Sequence, residues 1–289
     1  TYNRAELLRE TLDSVFQQDE TDFEIIVVDD GSVDETRDLL ASYGDRLRFF
    51  QQDNQGPGSA RNLGIQYASG RYVAFLDSDD LWFPWTLRTY ANVLRKTNDP
   101  AFLVGCPERF TRRDELLRSD EAEICYNAFP DYYASGDQWR WWGVSSFVVR
   151  REALIDVGGY TSEKINGEDA DLAMRLGVAP RFVQITQPVT FGYREHHGSA
   201  MSDFSRTLQG VKVKLKAEQN SQYPGGRARA AERRRILGRH LRSVTFDCLR
   251  EGRHGDAWTL YGAMFKWHIA SFRWKYLIGF PLRALFIRK

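Results

Sequence analysis

The hydrophobic positions change period along the chain. Leu8, Leu12, Val15 and Phe16 recur at helical spacing. Glu24-Ile25-Ile26-Val27-Val28 is then a buried-strand run that ends on Asp29-Asp30-Gly31-Ser32. Ser32 and Glu35 stand at capping-box spacing, which predicts a helix that starts there and turns Leu39, Leu40 and Tyr43 inward. Residues 47–51 read as a strand. Gly56-Pro57-Gly58 predicts a turn followed by a helix over about 59–68. Residues 72–76 form another short apolar run, ending in Asp77-Ser78-Asp79-Asp80. Strands alternating with helices at this rhythm predict an α/β domain with a mostly parallel sheet flanked by helices. Such a domain ordinarily opens on a strand. This chain opens on Thr1-Tyr2-Asn3-Arg4 and leads straight into a helix, so a first strand is expected ahead of it.

The middle, about 107–142, is polar and aromatic with weak periodicity, and predicts an inserted, partly irregular segment. Order resumes with Phe147-Val148-Val149 and a helix over about 152–157, closed by Gly158-Gly159. A helix over 168–176 and strands over 181–185 and 189–193 follow. From 204 onward the pattern is helical, basic and aromatic. Two regions are expected, 1–203 and a C-terminal helical extension over 204–289.

At 289 residues, 42% hydrophobic and 27% charged, the chain can bury a full core with a smaller appendage, and wholesale disorder is excluded. The odd set Cys106, Cys125 and Cys248 has no CxxC spacing, which excludes a disulfide framework and a zinc knuckle and predicts buried thiols in a reducing compartment. No stretch reads as a signal peptide. No apolar run reaches the ~18 residues that span a bilayer; the nearest, 276–286, is interrupted by Pro281 and Arg283. The net charge of +1 hides an asymmetry: residues 204–289 hold 19 of the 40 Lys+Arg and 5 of the 39 Asp+Glu, net +14, leaving 21 and 34, net −13, for 1–203. An acidic front suits a cation, and a basic back suits an anionic surface.

Asp29-Asp30 and Asp77-Ser78-Asp79-Asp80 both lie just past predicted strands, where open α/β sheets bind ligands. Clustered carboxylates repel unless a cation or a donor-rich ligand sits among them. Hard oxygen donors suit Mg²⁺ or Mn²⁺, which suit a diphosphate. The competing role is helix capping, open to Asp79 or Asp80.

Thr1-Tyr2-Asn3-Arg4, Val27-Val28-Asp29-Asp30-Gly31-Ser32, Gly56-Pro57-Gly58-Ser59-Ala60-Arg61-Asn62, Phe75-Leu76-Asp77-Ser78-Asp79-Asp80 and Gly167-Glu168-Asp169 occur in this order. Each is weak alone. The ordered set closely resembles family 2 of the inverting glycosyltransferases with the GT-A fold, over about 1–202. The resemblance implies transfer from a nucleotide-sugar, a UDP-sugar in many relatives, to a glycan or lipid-linked acceptor. It implies that Thr1 and Tyr2 line the base, Tyr2 by stacking, and that Asp30, with Asp29 beside it, accepts from base or ribose. Arg61 would contact base or diphosphate, and Asp77 the ribose. Asp79 would be the Mn²⁺ or Mg²⁺ ligand of the Asp-x-Asp motif and Asp80 a cap or supporting group. Asp169 would be the general base, with Glu168 beside it as the second catalytic candidate. In Tyr193-Arg194-Glu195-His196-His197, His196 matches a metal or diphosphate contact better than His197, and Arg194 a phosphate partner. Asp171 is expected to serve only the helix dipole.

Trp139, Trp141 and Trp142 suit a sugar platform, a lid or core packing. His240, His254 and His268 read as structural. The basic aromatic tail predicts either a helical hairpin packed on the domain or peripheral contact with an anionic membrane, placing the chain in the cytoplasm or at the inner face of the plasma membrane. No recognised nucleic-acid motif accompanies its charge. The alternatives to transfer are an inactive binding or scaffold protein, which intact Asp79, Asp169 and Arg61 disfavour, and a haloacid-dehalogenase-type phosphatase. The latter needs Thr or Val at the fifth place of its Asp-x-Asp motif, where Leu81 stands here.

Overall fold

Leu8 and Leu12 share one face of helix α1 (Ala5–Phe16) and bury it against Val27 of strand β1 (Ile26–Asp29) and Leu39 and Leu40 of α2 (Thr36–Ser42). The computed structural model describes residues 1–118, 120–136, 143–196 and 203–286, with the side chains of 117 and 118 left aside. The chain continues through β2 (Arg48–Gln51), α3 (Pro57–Tyr67), β3 (Tyr72–Ala74), β4 (Leu81–Trp82), α4 (Thr86–Lys96), β5 (Phe102–Val104), β6 (Pro107–Phe110), β7 (Cys125–Phe129) and β8 (Phe147–Arg150). Then come α5 (Arg151–Asp156), α6 (Glu168–Arg175), β9 (Phe182–Gln187), β10 (Phe191–Arg194), α7 (Phe204–Gln219), α8 (Ala230–Arg250), α9 (His254–Ala270) and α10 (Trp274–Phe286).

The α/β architecture is as expected, but the sheets are mixed rather than mostly parallel. β1 and β2 pair in parallel. A five-stranded sheet runs β3-β8-β5-β9-β7, in which only β5 and β9 are parallel. A three-stranded sheet runs β4-β10-β6. The cause of the reversal is where the chain enters. The turn at Val144–Ser146 sits beside the end of β3, with Ser145 Oγ accepting from the Asp77 N–H at 3.1 Å. A strand that starts there runs back against β3 and β5.

The middle segment is more ordered than its sequence suggests. It holds β6, which pairs in parallel with β10, and β7, an edge strand on β9. Both are short; β7 is largely exposed and β6 buries only Phe110, so neither carries an alternating apolar signal. Cys125 lies exposed on that edge and Cys106 is half-buried; of the three thiols only Cys248 is buried as expected. The Ser32–Glu35 capping box does not form. Helix α2 begins at Thr36, whose N–H donates to Asp34. Ser32 instead donates to Asp29 at 2.5 Å and accepts from the Asn3 N–H at 2.8 Å.

The core does not part at position 203. One hydrophobic cluster joins Phe102, Phe147, Phe182 and Leu172 to Leu208, Leu237, Leu241 and Phe280. Within the helical region, Arg233 and Glu218 form an ion pair at 2.6 Å with side chains 2% and 0% exposed. His268 is buried against Tyr276, as a structural histidine should be.

Candidate active site

The end of β1 supplies the first wall. Asp30 is buried, and its carboxylate accepts from the Gln55 and Gly56 N–H groups at 2.9 and 2.8 Å and from Gln52 Nε2 at 2.7 Å. It thereby fastens the loop that leads into α3. Thr1 lies alongside: its amino nitrogen donates to Val28 and its carbonyl accepts from the Asp30 N–H. Tyr2 is 45% exposed, its ring available to a flat partner.

The end of β3 supplies the acidic centre. Asp77, Asp79 and Asp80 each bring a carboxylate oxygen within 4.8 Å of the others. Asp79 Oδ2 accepts from Arg4 at 2.5 Å and lies 3.0 Å from His196 Nε2. Asp80 is buried, accepting from Ser145 Oγ at 2.6 Å and from the Arg194 N–H at 2.9 Å. Burial, then the neighbouring Asp77 and Asp79, push its carboxyl well above the usual range. Neither Asp79 nor Asp80 caps a helix, because β4 follows and α4 starts only at Thr86. Arg194 sits behind the turn, with Nε donating to the Asp79 carbonyl at 2.8 Å and NH2 to Glu10 at 2.7 Å.

Arg61 joins this centre to α6. From α3 it reaches Asp77 at 2.9 Å and Glu168 at 2.6 Å, so the two acidic clusters, far apart in sequence, face one cation. Next to Glu168, Asp169 is pushed up to about 7, by burial first and by the Glu168 charge second; Arg61 and Lys214 pull the other way. Asp171 does not serve the dipole alone. It is buried, accepting from Arg175 at 2.8 Å and from the Tyr223 hydroxyl at 2.9 Å, which ties α6 to the helical region.

Lys214 of α7 escaped the sequence reading. It is 4% exposed, and its ammonium donates to the Gly167 carbonyl at 3.0 Å, immediately before the Glu168–Asp169 pair. Gly167 has φ +82°, and a Cβ there would lie 2.8 Å from Lys214 Nζ. The helix can approach this closely because Gly210 lies against Asn166, where a Cβ would fall 2.1 Å from the carbonyl oxygen. Asn166 in turn donates to Thr207 and to the Asp203 carbonyl. The available signal was a lysine on the apolar stripe of Leu208, Val211 and Leu215.

Tyr2, Arg61, Asp79, Asp169 and Lys214 open onto one cavity of about 1430 Å³, which extends between the facing edges of β1 and β3. His240 also lines it, and burial holds its imidazole down to about 3. Trp139, Trp141, Trp142 and His197 lie outside the described residues.

Acidic turns at the ends of β1 and β3, mixed sheets flanked by helices and a C-terminal helical region define a GT-A-like fold. The model of glycosyl transferase family 2 matches residues 1–158, and the chain belongs to that family. The matched stretch ends before α6, so it carries the Asp77–Asp80 turn but not Asp169. An uncharacterized glycosyltransferase of Rickettsia typhi is 41% identical over 105 residues, 36% of this chain and 33% of the relative. The match thus spans about a third of that relative's length. Among solved structures, S. aureus TarS in complex with UDP-GlcNAc superimposes with a TM-score of 0.70 at 19% identity, over 92% of this chain and 79% of that one. The mannosyltransferase PcManGT from Pyrobaculum calidifontis, solved with GDP-Man and Mn²⁺, gives 0.53 at 21% identity, over 100% and 86%. No helix among the described residues is long and apolar enough to cross a membrane.

Proposed function

We propose that the chain is an inverting, metal-assisted glycosyltransferase. It moves a sugar from a nucleotide-diphosphate sugar, a UDP-sugar by the family resemblance, to a hydroxyl of a glycan or lipid-linked acceptor. The observation that carries this reading is that the acidic turn, through Asp77 and Asp79, and Asp169 line one cavity, with Arg61 bridging Asp77 and Glu168.

In direct displacement the acceptor oxygen bonds to the anomeric carbon while the carbon–oxygen bond to the diphosphate breaks. The electron pair leaves on the diphosphate, and the acceptor proton goes to Asp169. A carboxylate whose pKa lies near 7 is well matched to that transfer at neutral pH. Glu168, held by Arg61 at 2.6 Å, lies beside it. Lys214 holds the backbone from which both project and offsets their charge.

The donor set fits a hard divalent cation. Three carboxylates converge, and Arg4 and Arg61 now lie on two of them. Asp79 and His196 are the residues that would hold Mn²⁺ or Mg²⁺, which supplies charge neutralisation for the departing diphosphate. Tyr2, Thr1 and Asp30 form the base and ribose end, Asp30 through the loop it fastens. Asp77 would meet the ribose from the edge of the acidic centre and Arg61 the base or diphosphate, and Arg194 adds positive charge behind the acidic turn.

The test is release of UDP from a UDP-sugar with Mn²⁺ present and with excess EDTA, together with the thermal shift produced by UDP plus Mn²⁺. The wild type should turn over only with metal, and Asp79→Ala should lose both turnover and the metal-dependent shift. Full turnover in EDTA would overturn the metal role.

A further inference from the structure

A second surface lies away from the candidate site, on the last two helices. α10 buries Tyr276, Leu277, Phe280 and Ala284. Its outward side is apolar as well: Trp274, Ile278, Leu282 and Leu285 are 52%, 63%, 51% and 60% exposed. Steps of four, four and three residues put them on one stripe along the helix. Trp258, Phe265 and Ile269, spaced by seven and four, form a similar exposed stripe on α9. Of the sixteen large hydrophobic residues exposed among the described residues, nine fall within 258–286, so exposed apolar surface is concentrated here.

Beyond Asp256, which is paired with Lys212 and Arg253, the charge of these helices has one sign. From Ala257 to the end of the sequence there is no Asp or Glu, while Lys266, Arg273, Lys275, Arg283, Arg288 and Lys289 are present. A partner must therefore offer an apolar layer behind a negative surface. Two copies of this face would bring cation against cation with no acid between them. A polyanion without an apolar layer would leave the stripes in water. At 13 residues, about 20 Å of helix at 1.5 Å per residue, α10 is too short to span and suited to lie flat.

We propose that the outward faces of α9 and α10 dock on an anionic lipid bilayer, with the stripes at the acyl boundary and the lysines and arginines at the headgroups. This surface is separate from the transfer site, and the inference stands whether or not that site is read correctly.

The test is cosedimentation of the full chain with vesicles of phosphatidylcholine alone or with about one-third phosphatidylglycerol. Strong pelleting is expected only with the anionic vesicles, and high salt should release it incompletely, since screening acts on charge and not on apolar contact. Ile278→Asp with Leu282→Asp replaces exposed side chains, so thermal unfolding should be unchanged while binding falls at least tenfold. Lys266→Glu with Lys275→Glu should remove the preference for anionic vesicles. The proposal is overturned if the folded wild type ignores anionic vesicles at low salt, or if a folded Ile278→Asp/Leu282→Asp chain binds like wild type. It is equally overturned if sedimentation velocity shows a dimer that this double variant dissolves, because a second copy would then cover the stripe.

Discussion

The two sides of the candidate site are held in opposite ways. On the strand side, the acidic turns are tied by near neighbours of the α/β half: Ser32 holds Asp29, Ser145 holds Asp80, and loop 52–56 closes on Asp30. On the helix side, Glu168 and Asp169 open α6, and the Asn166–Gly167 loop leading into it is clasped by α7, which belongs to the basic region. The difference divides the tail in two. All four helices share the core, but α7 and α8 also wall the cavity, whereas α9 and α10 turn an apolar, cationic face outward. One region is acidic and the other basic, yet the site needs both.

The sharpest way to break this comparison is to loosen α7 from α8. Arg233→Met leaves Glu218 buried with only Arg234 as a charged partner, and should cost about 3 kcal/mol in chemical denaturation, at the lower end for a broken buried pair. A loss below about 1 kcal/mol would mean that the helical region is not bound into the core as the packing indicates. Lys214→Met tests the clasp itself. Removing its charge should raise the Asp169 pKa further, move the acidic limb of kcat against pH upward and lower kcat at neutral pH, with less effect at high pH. Donor affinity should stay close to wild type. An unmoved limb would assign Lys214 to packing alone. The smallest effect is expected on the locally tied side: Ser32→Ala removes the hydroxyl's hydrogen bonds to Asp29, which retains the Ser32 N–H, and from the Asn3 N–H, and should cost about 1–2 kcal/mol with kcat unchanged. A large kcat loss there would show that the strand side is not locally held.

This asymmetry also explains what the sequence disclosed. Asp30, Asp77, Asp79 and Arg61 stand in short motifs that can be read on their own, although Arg4, Glu168 and His196, distant in sequence, complete their contacts, and the structure brings Asp77, Asp79 and His196 together. The α/β alternation was legible because α1 and α2 each bury one stripe at helical spacing; α4 went unread. β6 and β7 were not legible, since short edge strands need no alternating apolar pattern. The direction of β8 depends on where residues 143–146 meet the end of β3, a contact made 68 residues along the chain between Asp77 and Ser145. Lys214 and Asp171 draw their roles from contacts with other elements. Lysine on an apolar stripe was the only local sign of the first, and Asp171 looked like any acid in a first helical turn.

The most direct measurement is the pH dependence of kcat for donor turnover with saturating Mn²⁺ and acceptor, in wild type and Asp169→Asn. A base is active when deprotonated, so a carboxyl raised to about 7 predicts that wild-type kcat climbs with pH through that value. Asp169→Asn should lose ~10²–10⁴ in kcat and the limb with it, while donor affinity is retained. A variant that turned over like wild type with the same limb would contradict the account, and the proton acceptor would have to be sought at Glu168.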